Sequence, residues 1–186
     1  MKILALDPSS TRTGYAVMTG AESVEEAGYL RPSRTRDKPE ARIDAMCDDL
    51  GELLETHKPQ RAVIEVPSGR PGKGAKRGAT GQLATYGVAV GELRRVCKDM
   101  LPALQTGSWS APLVKSVTER EWTHGRTQAS RRRWAASVWP AYRESMAKDS
   151  GADVADALLI GEWWFNQLAA TLIETCKLVE TYARQH

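Results

Sequence analysis

The amino-acid sequence predicts an α/β protein: a mixed five-stranded sheet, three strands antiparallel and the rest parallel, with helices on both faces. Two observations support this fold class. Three short apolar segments separated by turns come first, which is typical of an antiparallel meander. Segments with helical periodicity then alternate with short apolar runs, which is typical of strands joined by helices. The 186 residues, 41% hydrophobic and 26% charged, suit a folded protein with a full core.

Five apolar segments make up the predicted sheet. The first ends at Asp7, directly before the turn Pro8-Ser9-Ser10, and the second follows Gly14. Pro67 bounds the fourth segment. The predicted strands are residues 2–7, 15–19, 24–30, 62–66 and 104–106.

The clearest helical periodicity runs from Ile43 to Leu54, where apolar residues recur at intervals of three and four. Asp37 is the predicted N-cap of this helix, Pro39 lies in its first turn, and the helix ends near Thr56. Four more helices are predicted, and the continuity of the last is left open. They are residues 82–100, 112–121, 128–138 and 153–182.

Composition favours a cytoplasmic location. The N-terminal run KILAL is too short for a signal peptide and leads directly into Asp7. No apolar run reaches membrane-spanning length. The three cysteines, Cys47, Cys97 and Cys176, are odd in number and far apart, which suits a reducing compartment without disulfides.

The positive charge is concentrated in two stretches without acidic residues, although the net charge is only +3. Such segregation allows one face to attract a polyanion. The first stretch is a Gly-rich loop whose spacing does not match a P-loop, so a plain solvated loop is its alternative. For the arginines of the second stretch, a solvated helix face is equally favoured. The predicted DNA contacts are Arg70, Lys73, Lys76, Arg77, Arg126, Arg131 and Arg132.

Four carboxylates are the strongest chemical signal. Asp7 and Glu65 lie in apolar strands, where an isolated charge is strongly disfavoured. Asp153 and Asp156 are three residues apart at the start of the last predicted helix. Together they predict a metal site with two Mg²⁺ ions, for which Mn²⁺ can substitute, as used to cut phosphodiesters. Singly, each acid has a plainer interpretation, such as a turn cap for Asp7 or a helix-dipole charge for Asp153.

Three segments in the same order resemble the motifs of the RuvC-type Holliday junction resolvases, which belong to the RNase H-like superfamily. LDPSSTRTGYAV resembles their opening motif, with Ser9 where glycine is usual. RAVIEVP resembles their Glu motif, and GADVADALLIG resembles their closing Asp-x-x-Asp motif. The resemblance divides the chain into an RNase H-like nuclease domain, residues 1–164, and a helical extension, residues 165–186.

The resemblance implies a homodimeric endonuclease that resolves four-way DNA junctions by paired symmetric nicks and leaves 5′-phosphate and 3′-hydroxyl ends. Asp7, Glu65, Asp153 and Asp156 would be the metal ligands, and Lys115 would offset charge on the scissile phosphate. Arg126 or Arg131 would stand in for a second lysine of the family. The alternatives are a nuclease for other branched DNA or structured RNA, and a catalytically silent DNA-binding scaffold.

An apolar stripe on the last predicted helix has two interpretations. Its residues recur at spacings of three and four, so the stripe is either core or a self-association surface. A two-fold dimer would suit the two-fold symmetry of a four-way junction. The stripe consists of Phe165, Leu168, Leu172, Cys176, Val179 and Tyr182.

Overall fold

A computed structural model describes residues 1–9, 11–30, 38–66, 79–101, 113–123, 125–148 and 153–185. Its centre is a five-stranded sheet in the order β3-β2-β1-β4-β5. The predicted mixed sheet is confirmed, since β1 to β3 pair antiparallel and β1, β4 and β5 pair parallel. The strands are β1 Ile3–Pro8, β2 Thr13–Met18, β3 Val24–Leu30, β4 Arg61–Val66 and β5 Val114–Thr118.

Strand β1 lies in the middle of the sheet because its sequence is apolar on both faces. Ile3 to Leu6 are fully buried, as expected for a strand covered on both sides. Alternate residues face opposite layers, so Ile3 and Ala5 join one core and Leu4 and Leu6 the other.

Helices cover both faces of the sheet, as predicted. α1 and α2 pack together on the face of Leu4 and Leu6. α6 crosses the opposite face, with α4 packed against it. A short 3₁₀ turn, Pro140–Tyr142, precedes α5. The helices are α1 Pro39–His57, α2 Ala79–Met100, α3 Glu119–Thr123, α4 Gln128–Val138, α5 Arg143–Lys148 and α6 Asp153–Gln185.

The helix predicted over residues 112–121 is wrong, because this segment contains β5. Its β-branched residues Val114, Val117 and Thr118 favour a strand, and pairing with β4 buries Val114 and Val117. The strand predicted over residues 104–106 lies outside the described residues. The sequence therefore contains a strand where periodicity alone favours a helix, which shows how tertiary pairing overrides a short local pattern.

Two smaller corrections concern helix ends. Helix α1 begins at Pro39 with Lys38 at its N-cap, so the N-cap predicted at Asp37 is wrong, and Asp37 itself lies outside the described residues. Helix α6 runs unbroken from Asp153 to Gln185. The proline ring fixes a helical φ at the first position, which explains the start of α1 without a side-chain cap.

Helix α6 lies very close to the sheet at two glycines. A β-carbon on Gly14 would stand 2.1 Å from the backbone oxygen of Asp153, and one on Gly161 would stand 2.2 Å from the sulfur of Met18. Residues 154–160 are buried here, whereas most residues beyond Phe165 are exposed. Within the described residues, no helix combines the length and hydropathy needed to cross a bilayer.

Candidate active site

Two of the four predicted acids meet at the carboxyl ends of neighbouring strands. Leu6 of β1 pairs with Ile64 of parallel β4, so Asp7 and Glu65 are the next residues on adjacent strands. Asp7 is on the same face of β1 as Ile3 and Ala5, and Glu65 is on the same face of β4 as Val63. Ile3, Ala5 and Val63 belong to the core under α6. The pairing therefore directs both carboxylates toward the layer that contains the start of α6.

The other two acids lie in the first turn of α6. Asp7 pairs with Gly14 across β1 and β2, and Gly14 contacts the backbone of Asp153. This close approach places the α6 N-terminus over the end of β1. Asp156 is only 5% exposed and lies one turn further along, close enough for its charge to act on Asp7 and Glu65.

The strand acids are hard to ionise in this arrangement. Burial raises the pKa of Asp7 well above its usual value, and the charges of Glu65, Asp156 and Asp153 raise it further. Burial and the charge of Glu119 raise the pKa of Glu65 to about 7, although a hydrogen bond from Trp122 opposes the shift. The negative charge of the acids in the site is therefore only partly neutralised by the cationic side chains around them.

Arginines contact the two helix acids. Arg131 donates from Nε and a terminal nitrogen to the two oxygens of Asp156, each at 2.8 Å. The Nε of Arg12 donates to one oxygen of Asp153. Burial still raises the pKa of Asp156, with the Arg131 contact opposing it.

Sequence reasoning missed three residues of the site. Arg12 lies in the β1–β2 turn and contacts an acid 141 positions away in sequence, and Glu119 lies in the segment that the sequence predicts as a helix over residues 112–121. Trp122 is 3% exposed, and its indole N–H donates to Glu65 at 3.0 Å. A useful signal was available for Glu119 and Trp122, since both follow directly on β5, beside the strand that carries Glu65.

The donor chemistry fits a hard divalent cation, because the charges of Glu65, Asp153 and Asp156 all act on Asp7 and their repulsion calls for positive charge. In the described part of the chain, however, no three candidate ligands are grouped closely enough to hold a metal ion as the structure stands. The contacts of Arg12 and Arg131 with Asp153 and Asp156 give a physical reason, since guanidinium groups occupy carboxylate oxygens that a cation would use.

The predicted basic residues have different environments. Arg126 is exposed and its guanidinium lies 4.9 Å from the centre of the Trp134 ring, while Arg132 is half-buried. Lys115 of β5 pairs with Val63 of β4, which lies two residues before Glu65 on that strand. The four basic residues of the Gly-rich loop, Arg70, Lys73, Lys76 and Arg77, lie outside the described residues.

Arg131 requires a correction. The sequence places it among surface DNA contacts, whereas its side chain is 9% exposed and is held by Asp156, Glu119 and the Trp122 ring. A guanidinium buried against a carboxylate is not presented to a DNA backbone. The structure instead gives Arg131 a part in fixing Asp156.

Two solved resolvases have folds similar to that of this chain. RuvC of T. thermophilus, solved in complex with a Holliday junction substrate, is similar with a TM-score of 0.60 and 15% identity, over 92% of this chain and 97% of that one. The yeast mitochondrial Holliday junction resolvase Ydc2 is similar with a TM-score of 0.59 and 15% identity, over 95% of this chain and 83% of that one.

Sequence comparison points to the RuvC type. The chain is 37% identical over 68 residues to crossover junction endodeoxyribonuclease RuvC of Chlorobaculum parvum and 35% identical over 68 residues to RuvC of Chlorobium chlorochromatii. Each match covers 35% of this chain and about a third of the relative, 36% and 35% respectively. No family model matches. The predicted resemblance to RuvC-type resolvases is confirmed, locally in sequence and over nearly the whole chain in fold.

Proposed function

We propose that this protein is a metal-dependent endonuclease that cuts four-way DNA junctions by paired symmetric nicks. One observation carries the proposal: the acids of three separate motifs converge at the ends of β1 and β4, under the first turn of α6. The likeness to RuvC in sequence and fold supports the substrate class. A cytoplasmic location stays a prediction.

The site residues have distinct parts in this proposal. Two Mg²⁺ ions, or Mn²⁺ in their place, would supply an activated water and stabilise the departing 3′ oxygen, leaving a 5′-phosphate. Asp7, Glu65, Asp153 and Asp156 would hold these ions. Lys115 would offset negative charge on the scissile phosphate.

The basic residues around the site would hold the DNA backbone. Arg126 precedes α4 and Arg132 lies in its second turn, next in sequence to Arg131, and the Gly-rich loop follows directly after the Glu65 strand. Contacts with phosphates release counterions, so binding should weaken steeply as salt concentration rises.

The decisive experiment compares labelled four-way junction, fork, flap and plain duplex in Mg²⁺ and in Mn²⁺. We expect two nicks at symmetry-related positions in the junction and little cutting of the duplex. Equal cutting of all four substrates would indicate a less selective nuclease, and no cutting in either metal would favour a silent scaffold.

The Asp7→Asn variant tests the site itself. It removes one charge with little change in shape, so it should bind the junction but lose cleavage by at least about a thousandfold, as expected when a central charge-stabilising group is lost. Asp99→Asn is the matched control, because Asp99 is an exposed acid at the far end of α2. Retained cleavage in Asp7→Asn would remove Asp7 from the mechanism.

We further propose that the protein is a homodimer and that the C-terminal part of α6 contributes to its interface. The part of the stripe from Leu172 onward is exposed in a single copy: Leu172 is 44% exposed, Val179 63% and Tyr182 67%, whereas Phe165 packs against the core. The charges among the described residues beyond Phe165, two acidic and two basic, balance, which suits a second copy better than a polyanion. They are Glu174, Lys177, Glu180 and Arg184.

Light scattering at micromolar concentration tests the dimer. The wild type should have the mass of two chains, and a Leu172→Glu and Val179→Glu double variant should shift toward one. Val88→Glu is the control, because Val88 is a similarly exposed apolar residue on α2, at 56% exposure. A monomeric wild type would contradict the dimer without affecting the proposed nuclease site.

A further inference from the structure

Two guanidinium groups contact the helix carboxylates of this site. Arg131 donates to both oxygens of Asp156, and Arg12 donates to one oxygen of Asp153. Charge-assisted hydrogen bonds of this kind are among the strongest that proteins form. A divalent ion that uses Asp153 or Asp156 must therefore share these oxygens with an arginine or displace it.

The two arginines are held to different degrees. Arg131 has a side-chain exposure of 9%, and it also donates to Glu119 and to the backbone oxygen of Arg126 at 3.3 Å. Its guanidinium lies 5.1 Å from the Trp122 ring centre. Moving Arg131 would leave a buried charge without its counter-ion, which is strongly unfavourable.

Moving the Arg12 side chain away from Asp153 costs less free energy than moving Arg131 away from Asp156. The Arg12 side chain is 23% exposed, and it comes from the β1–β2 turn rather than from a packed helix. The Ser9 hydroxyl accepts from the Arg12 backbone N–H at 3.2 Å and so fixes the turn, while the guanidinium lies 5.0 Å from the Tyr29 ring centre at the surface. The backbone is thus anchored, and the side chain is more exposed than that of Arg131, at 23% against 9%.

We propose that Arg12 is an exchangeable counter-ion of Asp153. It occupies the carboxylate in the metal-free protein, leaves when a divalent cation binds, and then contacts a phosphate of the bound DNA. This inference rests on the proposed metal-dependent nuclease function. Planar guanidinium groups pair equally well with carboxylate and phosphate oxygens, so one side chain can serve both states. Arg131 keeps its contact with Asp156 throughout.

Calorimetric titration with Mn²⁺ in the absence of DNA is the first test. Arg12→Gln should bind Mn²⁺ about tenfold more tightly than wild type, the size expected when one competing charge-assisted hydrogen bond is removed. Arg95→Gln is the matched control, because Arg95 also donates from Nε to a carboxylate, Glu92, at 2.9 Å, but on the exposed surface of α2. The control should bind Mn²⁺ like wild type.

The outcomes separate the two proposals. If wild type binds no divalent ion, the proposed metal-dependent function fails and the exchange fails with it. If wild type binds Mn²⁺ and Arg12→Gln binds it equally well, only the exchange is overturned.

A second test needs no substitution that could disturb folding. In the wild type, the Nε–H resonance of Arg12 should shift when Mg²⁺ is added, whereas that of Arg131 should stay in place. An unchanged Arg12 resonance at saturating Mg²⁺ would overturn the exchange. The spectrum of Arg12→Lys assigns the signal.

Junction binding gives the third test, with Ca²⁺ as the divalent ion and EDTA as the metal-free condition. Arg12→Gln should match wild type in EDTA and bind the junction several-fold more weakly in Ca²⁺. An equal loss in both conditions would make Arg12 an ordinary phosphate contact and overturn the proposed exchange.

Discussion

The strand side and the helix side of the site manage their negative charge differently. On the strand side, burial and neighbouring acids raise the pKa of Asp7 and Glu65. On the helix side, Asp153 and Asp156 each contact a guanidinium. Burial raises the pKa of Asp156 on the helix side as well, but there the contact with Arg131 opposes the shift directly.

This difference teaches that acids brought together in one site can be held in two electrostatic settings. Removing a charge from the strand side should relieve repulsion and stabilise the metal-free protein. Removing a charge from the helix side should leave an arginine without its partner and destabilise the protein. The following substitutions test this contrast, from the largest expected effect to the smallest.

Asp156→Asn should have the largest effect on stability. It removes the bidentate partner of buried Arg131 and leaves Glu119, at 3.3 Å, as the remaining carboxylate; breaking a buried pair by removing one partner typically costs about 3–5 kcal/mol, so the loss should lie near the lower end of that range. Urea unfolding in EDTA measures the loss. Glu92→Gln, at the exposed pair with Arg95, is the control and should change stability by less than about 1 kcal/mol. Equal, small effects would mean that Arg131 does not depend on Asp156.

Glu65→Gln should have the opposite sign. Since the pKa of Glu65 is raised from 4.5 to about 7, the folded protein binds more protons than the unfolded chain between these pH values. The contribution of Glu65 to the free energy of unfolding therefore falls as pH rises through this window, by about 3 kcal/mol.

Unfolding in EDTA at several pH values measures this effect. Glu65→Gln should be about as stable as wild type near pH 4 and more stable at pH 8, with the difference growing between about pH 4.5 and 7. A difference that stays constant over this range would show that the pKa of Glu65 is not raised. Saturating Mg²⁺ should reduce the advantage of the variant, because the metal stabilises the wild-type carboxylate.

Gly14→Ala tests the contact that joins the two sides. The new β-carbon would lie 2.1 Å from the backbone oxygen of Asp153, so α6 must shift, at a cost of about 2 kcal/mol. Mn²⁺ affinity should fall as well, because the helix acids move away from the strand acids. Gly91→Ala on α2 is the control. Outside its own stretch of helix, a β-carbon on Gly91 would have no described atom within 4 Å, so this substitution should stabilise the helix by about 0.5–1 kcal/mol. Unchanged Mn²⁺ affinity in Gly14→Ala would contradict the idea that the contact between Gly14 and Asp153 holds the helix acids beside the strand acids.

The fold and the acids were largely predictable because their signals are local. The boundaries of β3 and the span of α4 follow from short patterns, and Asp7 and Glu65 stand out as charges in apolar strands. β5 was missed because a five-residue strand with alternating polarity is identified mainly by its partner β4. Arg12 was missed for a similar reason: its contact with Asp153 joins residues 141 positions apart.

Trp122→Phe should have the smallest effect of these substitutions, and it tests the hydrogen bond from Trp122 to the strand acid Glu65. It removes the hydrogen bond to Glu65 but keeps an aromatic ring beside Arg131, so stability at pH 8 should fall by about 1 kcal/mol. Because that bond lowers the pKa of Glu65, its loss should move the pH midpoint of the Glu65-dependent stability change upward. Trp134→Phe is the control, because the indole N–H of Trp134 donates to Glu162, at 3.3 Å on the surface, and not to Glu65. A midpoint that moves equally in both variants would show that Trp122 acts through general packing rather than through Glu65.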